Sequence, residues 1–187
     1  AVIVEMGCVE RINRGLTGNT FHVYINPQRL VEAEAIGVHG ITSEYLTDKP
    51  VFKSIANEFI DFISGAQLVI HNAPFDIGFM DHEFNRLTGL AVKESAKMCT
   101  VLDTLDMARQ IHPGQKNNLD ALCRRYGIDN SHREKHGALL DAEILADVYL
   151  LMTGGQTDLN LSGKASGEGG LQSETIRRLS AQRKPLK

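Results

Sequence analysis

"AQLVIHNAPFDIGFMDHEFNRL", residues 66 to 87, splits into two halves of different character. Ala66 to Asn72 is a short, continuously apolar run that ends in polar residues, the pattern of a buried strand. From Ala73 onward the stretch reads as a helix. Strands that feed helices build α/β sheets, and in such sheets ligands bind at the carboxyl ends of the strands. Asp76 falls at the opening of the helix beside Phe75, where a carboxylate can hold a hard cation next to a stacking surface. The position equally suits an acid placed to complement the helix dipole. Spacing alone does not choose between the two.

The pattern continues on both sides. Upstream, Val51, Ile55, Phe59 and Phe62 recur at helical spacing after Pro50, which predicts a helix over about 51–64. Before it, residues 1–12 and 20–25 are rich in β-branched and aromatic residues, and "NRGLTGN" separates them, as in a β-hairpin. "EAIGVHGIT" is a helical turn and loop. Downstream, "KMCTVLDTLDMARQI" passes from strand to helix. "NNLDALCRRYG" is a helix with Asn near its start and Gly127 as its stop. A last helix runs from about His136 to Met152. A hairpin followed by alternating helices and short buried strands predicts the α/β class, a mixed β-sheet flanked by helices.

Bulk properties narrow the function classes. A chain of 187 residues, 42% of them hydrophobic, suits one globular domain with an ordinary core. A net charge of −3 leaves no basic footprint for direct nucleic-acid binding. It is compatible with an enzyme that meets nucleic acid through metal ions, since such a site needs carboxylates. Cys8, Cys99 and Cys123 form no CxxC and no cluster with histidine, which reads as reduced cysteines in a cytoplasmic protein. No apolar run approaches the roughly 18 residues of a membrane span, and no signal peptide is visible, so no membrane partner is expected. The chain opens at Ala1 directly inside an apolar, strand-like run, which reads as an N-terminal truncation. Beyond "MTGGQT" the composition turns to Gly, Ser and polar residues with a basic end, "RRLSAQRKPLK". The expected organisation is a domain over 1–153 and a flexible tail over 154–187.

"HGALLDAEILADVY", residues 136 to 149, carries the second candidate set. In a helix, five positions turn the chain by about 500°, so His136 and Asp141 would point roughly 140° apart. They converge only if His136 lies off the helix, on the loop that Gly137 joins to it. That layout suits a proton acceptor facing a fixed anionic ligand. The same spacing fits a surface loop histidine and a solvated helix aspartate. Taken together, Asp76 and Asp141 are oxygen ligands suited to Mg²⁺ or Mn²⁺. A neutral histidine can take a proton from a water that such ions acidify.

"VIHNAPFDIGFMDHEF" and "HGALLDAEILADVYLLMTGGQT" resemble the second and third motifs of the DEDD-type 3′→5′ exonucleases that carry a histidine in the third motif. "GLTGNTFHVYINPQRLVEAEAIGVHGIT" and "KNNLDALCRRYGIDNSHREKHGALLDA" are similar to the same family, in its branch of proofreading epsilon subunits of bacterial DNA polymerase III. The likeness covers about residues 1–157. It implies an RNase H-like exonuclease fold, two divalent cations (Mg²⁺ or Mn²⁺), and hydrolysis at a single-stranded 3′ end of DNA that releases nucleoside 5′-monophosphates. By position it implies Asp76 and Asp141 as metal ligands and His136 as general base. It implies Asn72 and Phe75 lining the 3′-nucleotide site, and His39 in "GVHGI" approaching the terminal nucleotide. Asp103 in "VLDTL" matches a supporting carboxylate, although a plain helix N-cap accounts for it as well.

The family's first motif, an Asp-x-Glu on the first strand, has no counterpart here. It would lie upstream of "VIVEMGCVE", so the expected fold lacks its first strand and the chain as given is expected to cut slowly or not at all. Glu5 matches a family position with no assigned metal role. In the tail, "QTDLNL" resembles the sliding-clamp-binding hexapeptide, with Gln156, Leu159 and Leu161 as anchors; a plain linker is the alternative. The resemblance further implies the polymerase catalytic subunit, a small third core subunit and the sliding clamp as partners. Two other readings stay open: an RNA-trimming 3′ exonuclease of the same superfamily, and an inactive scaffold linking polymerase and clamp.

Overall fold

Hydrophobic periodicity places the first long helix, and the rest of the core follows from it. The computed structural model describes residues 2–90, 93–134 and 137–165, with side chains as far as residue 154. Helix α2 (Phe52–Ile63) buries Phe52, Ile55, Ala56, Phe59 and Ile63, one face of a 3.6-residue repeat. That face meets the hairpin β1 (Glu5–Ile12) and β2 (Gly15–Tyr24) on one side and α3 (Ala73–Arg86) on the other. Phe21 from β2 packs on Phe59 at 5.3 Å between ring centroids, and Phe59 stacks on Phe84 of α3 at 6.3 Å. Phe84 and Ile63 are fully buried. A smaller cluster of Val4, Val31, Ile41 and Leu46 packs under helix α1 (Ala33–His39) and the loop after it.

Strands β1 and β2 pair antiparallel, while β3 (Gln67–Ile70) and β4 (Thr100–Asp103) pair parallel, with Ile70 opposite Asp103. Both strand senses are therefore present, as two two-stranded ladders rather than one continuous mixed sheet among the described residues. Short α4 (Ser95–Met98) precedes β4; the Asp81 carboxylate on α3 accepts from the Ser95 backbone N–H at 2.8 Å and from its hydroxyl at 2.6 Å. Helices α5 (Thr104–Ile111) and α6 (Leu119–Tyr126) follow. Asn118 caps α6 by accepting from the Ala121 N–H at 2.8 Å, and Gly127 ends it in the left-handed conformation (φ 68°).

Two boundaries depart from the periodicity. "NRGLTGN" is not a loop throughout: Asn13 and Arg14, at φ 50° and 68°, form a two-residue turn, and Gly15–Asn19 join β2. Turns with two positive φ angles match the twist of a hairpin, so the strands pair right up to them. The register shift between Val9 and Arg11 absorbs the surplus residues, with the Thr17 hydroxyl donating to Glu10 at 2.7 Å. The second departure is α7, which spans Ala138–Ala165 rather than stopping at Met152. Glycine tolerates helical angles at a cost of about 1 kcal/mol per residue, so Gly154 and Gly155 weaken a helix without ending it. By contact density the chain divides into units of Ala1–Tyr149 and Leu150–Lys187. Among the described residues, no helix is long and apolar enough to cross a membrane.

Gly7 sets how close α7 comes to the hairpin. A Cβ at this position would lie 2.5 Å from the Ala138 carbonyl carbon and 2.6 Å from the Leu139 Cα, and would press on the Leu139 nitrogen. Only hydrogen fits there, so the start of α7 rests directly on β1.

Candidate active site

Strand β3 ends at Ile70, and the chain turns into α3 through His71 and Asn72. Asn72 adopts the left-handed conformation (φ 68°), which asparagine tolerates better than most residues. The Asn72 side chain makes no cap to α3, and the Asp103 carboxylate at the end of β4 supplies one instead. Its Oδ1 accepts from the Asn72 N–H at 3.0 Å and its Oδ2 from the Ala73 N–H at 3.1 Å. Oδ1 also accepts from the Leu105 N–H at 2.8 Å, capping α5. Asp103 is thus an N-cap of α5, and it also fastens the loop that leads to Asp76.

Asp76 projects from the first turn of α3 and is exposed. Its pKa is nonetheless raised from the ordinary carboxylate value, chiefly because surrounding protein strips hydration from the charge. A hydrogen bond from its own backbone opposes this, and the nearby Asp103 charge adds to it. Phe75, 61% exposed, packs edge-on against Phe79 at 4.9 Å. Asn72 is exposed beside it. Asn72, Phe75 and Asp76 are thus all exposed at the opening of α3.

His71, behind this loop, bonds through Nδ1 to the Thr104 hydroxyl at 2.9 Å, and that hydroxyl donates to the Ile70 carbonyl at 3.3 Å. Nε2 is buried and makes no hydrogen bond within ordinary geometry. Burial lowers the His71 pKa, against smaller raising contributions from the Asn117 backbone and Asp103. His39 ends α1; its Nδ1 accepts from the Ile41 N–H at 3.0 Å, and partial burial lowers its pKa while Glu5 opposes the shift. Glu5 itself pairs with His22 at 2.8 Å.

Asp141 lies in the first turn of α7, where its backbone N–H donates to the Gly137 carbonyl at 2.9 Å. Its carboxylate is gripped side-on by Arg133: Nε donates to Oδ1 at 2.5 Å and Nη2 to Oδ2 at 3.0 Å. The Nη1 of Arg133 donates to Asp120 Oδ1 at 2.5 Å. Neither Arg133 nor Asp120 was marked by the sequence; an arginine in a polar loop carries no spacing signal, and its partners are 8 and 13 residues away.

The described residues thus form two constellations, Asp76 with Asp103 and Asp141 with Arg133 and Asp120. Among them, no three His, Cys, Asp or Glu side chains group as a metal-binding set. His136 lies outside the described residues, and the side chains of Gln156, Leu159 and Leu161 lie beyond those described. In kind, the donors fit a hard divalent cation: Asp76 and Asp141 offer carboxylate oxygens. The thiols do not compete, since burial pushes Cys8 up to about 11 and also raises Cys99 and Cys123.

The Exonuclease family model matches residues 1–149. The chain is 65% identical over 157 residues to the DNA polymerase III subunit epsilon of Pasteurella multocida, covering 84% of this chain and 61% of that protein. Against the DNA polymerase III subunit epsilon of Salmonella typhimurium it is 55% identical over 185 residues, covering 99% of this chain and 76% of the relative. In three dimensions, Escherichia coli Exonuclease I in complex with a 5cy-dT13 oligonucleotide aligns with a TM-score of 0.67 at 15% identity, over 83% of this chain and 37% of that one. This structural likeness establishes an RNase H-like exonuclease fold, and the family match covers both candidate constellations. The chain belongs to the exonuclease family, as an epsilon-like member of the DEDD type.

Proposed function

We propose that this chain is the exonuclease part of a proofreading 3′→5′ DNA exonuclease subunit of a replicative DNA polymerase, hydrolysing the 3′-terminal phosphodiester to release nucleoside 5′-monophosphates. The observation that carries this reading is the 55% identity to an epsilon subunit over 99% of the chain. The motif residues Asp76, His136 and Asp141 lie within that span.

Asp76 and Asp141 are the residues that would hold two divalent cations, Mg²⁺ or Mn²⁺. When bound, such ions would supply positive charge to the scissile phosphate and lower the pKa of a nearby water. His136, one residue ahead of Gly137, takes the proton from that water as general base. Phe75 offers its exposed face to the terminal base, Asn72 offers its amide, and His39 approaches the same nucleotide from the end of α1. Asp103 acts at one remove: by holding the Asn72 and Ala73 N–H groups it fixes where Asp76 projects. The work is done on a single-stranded 3′ end, in the cytoplasm, alongside the polymerase catalytic subunit and a small third core subunit.

The test is a gel assay with 3′-labelled single-stranded DNA and RNA in Mg²⁺, run on this chain and on a version extended upstream of Ala1. Stepwise shortening of DNA by the extended version is the expected result. Preferential loss of RNA would favour the RNA-trimming reading, and no cutting of either by the extended version would leave the scaffold. For the clamp-like segment, Gln156 and Leu159 are both changed to Ala and the sliding clamp is used as bait. Retention is expected to fall at least about tenfold, and equal retention rejects the motif.

A further inference from the structure

Arg133 is the least exposed member of an ion-paired trio: 8% of its side chain meets solvent, against 26% for Asp141 and 48% for Asp120. It engages both Asp141 oxygens through Nε and Nη2, the side-on grip that matches a guanidinium to a carboxylate. It also holds a second carboxylate through Nη1. Asp120 is anchored independently, in the first turn of α6, where it accepts from the Asn130 amide at 3.0 Å. Cys123, fully buried, lies close enough that Arg133, Asp120 and Asp141 all act on its thiol. The guanidinium therefore has a fixed mooring on α6 and a second contact on α7.

We propose that Arg133 is a positioning residue that serves as a releasable counter-cation on Asp141, holding its carboxylate until a divalent ion takes that carboxylate over. This rests on the reading of Asp141 as a metal ligand. The physical case is one of paired charges. A partly buried carboxylate beside the Asp120 charge is stabilised by a cation whether or not metal is bound. Arg133 can leave Asp141 without itself becoming an unpaired buried charge, because Asp120 stays within its grasp. A guanidinium and a divalent ion on one carboxylate repel each other, and Arg133 already uses both oxygens. Ion and guanidinium are thus competitors for one anion, and each weakens the other's hold reciprocally.

The experiment is Mn²⁺ titration by calorimetry on the full chain, comparing wild type, Arg133→Gln, Asp141→Asn and the double variant, with circular dichroism as the check on folding. Arg133→Gln is expected to bind Mn²⁺ about tenfold tighter, within the usual range of coupling between competing ligands. Asp141→Asn is expected to lose that site, and the double variant to match it. Unchanged or weaker Mn²⁺ binding by Arg133→Gln overturns the proposal, and so does absence of binding in both wild type and Arg133→Gln. If Arg133→Gln does not fold, Arg133→Lys serves, since lysine keeps the charge without the two-pronged grip. It should tighten Mn²⁺ binding by about threefold, a partial effect on the same coupling scale, and no change would overturn the idea. If Asp141→Asn leaves Mn²⁺ binding intact, the metal-ligand reading itself fails. Loss of binding in Asp141→Asn without tightening in Arg133→Gln removes only the counter-cation role.

Discussion

Alanine at position 7 is expected to destabilise the fold by about 3 kcal/mol, the upper end of ordinary overpacking costs. For a unit of this size that corresponds to a fall in Tm of roughly 6–12 °C. The reason is space rather than backbone strain, because Gly7 is not among the glycines with positive φ. The new methyl carbon would sit against backbone atoms of Ala138 and Leu139, and no rotamer change can move those aside. Either β1 or the start of α7 must shift. Since Gly137 and Asp141 are joined through the first turn of α7, the variant should also lose rate at temperatures well below its Tm, in whichever form of the chain degrades 3′-labelled DNA. A thermal melt and a rate measured at 20 °C below the transition check the two halves. A Tm within 2 °C of wild type would mean that the close approach of α7 to β1 is wrong.

His136→Ala is expected to lower the single-turnover rate of 3′-nucleotide release by ~10²–10⁴, in whichever form of the chain degrades 3′-labelled DNA. Mn²⁺ binding should change little, because a general base contributes a proton acceptor and no ligand. Asp141→Ala should do the reverse at its root: the ion's hold is lost first, and the rate follows. The pair separates the two roles within six residues of sequence. Full turnover by His136→Ala at neutral pH would reject the base assignment. A weakened Mn²⁺ affinity in that variant would move His136 into the ligand set.

Much of the architecture was legible from local pattern. The apolar run before His71, the i, i+4 spacing of α2, and the passage from β4 into α5 all depend on near neighbours, and near neighbours are what periodicity records. The Asn118 and Gly127 boundaries of α6 were legible for the same reason. The hairpin turn was not, because Gly15 and Gly18 imitate a long loop while the actual turn uses Asn13 and Arg14. The end of α7 was not, because glycine pairs weaken a helix without setting its length. In the candidate site, Asp103 was readable as a cap on the helix that follows it, but its bonds to Asn72 and Ala73 span about thirty residues and leave no trace in spacing. Arg133 was invisible because its partners, 8 and 13 residues away across a polar loop, fall outside any helical or strand period. The motif aspartates and His136 were legible through family resemblance, and their residue types alone left a solvated surface equally open.

The single carboxylate at the end of β4 has a consequence for how this molecule tolerates change. Two helices begin on one anion, so their starting points cannot drift apart over evolutionary time. A substitution that tilts α5 is transmitted to the turn ahead of Phe75, and a repair on one side is felt on the other. Variation should therefore accumulate along the outer flanks of α3 and α5, with their shared origin held still.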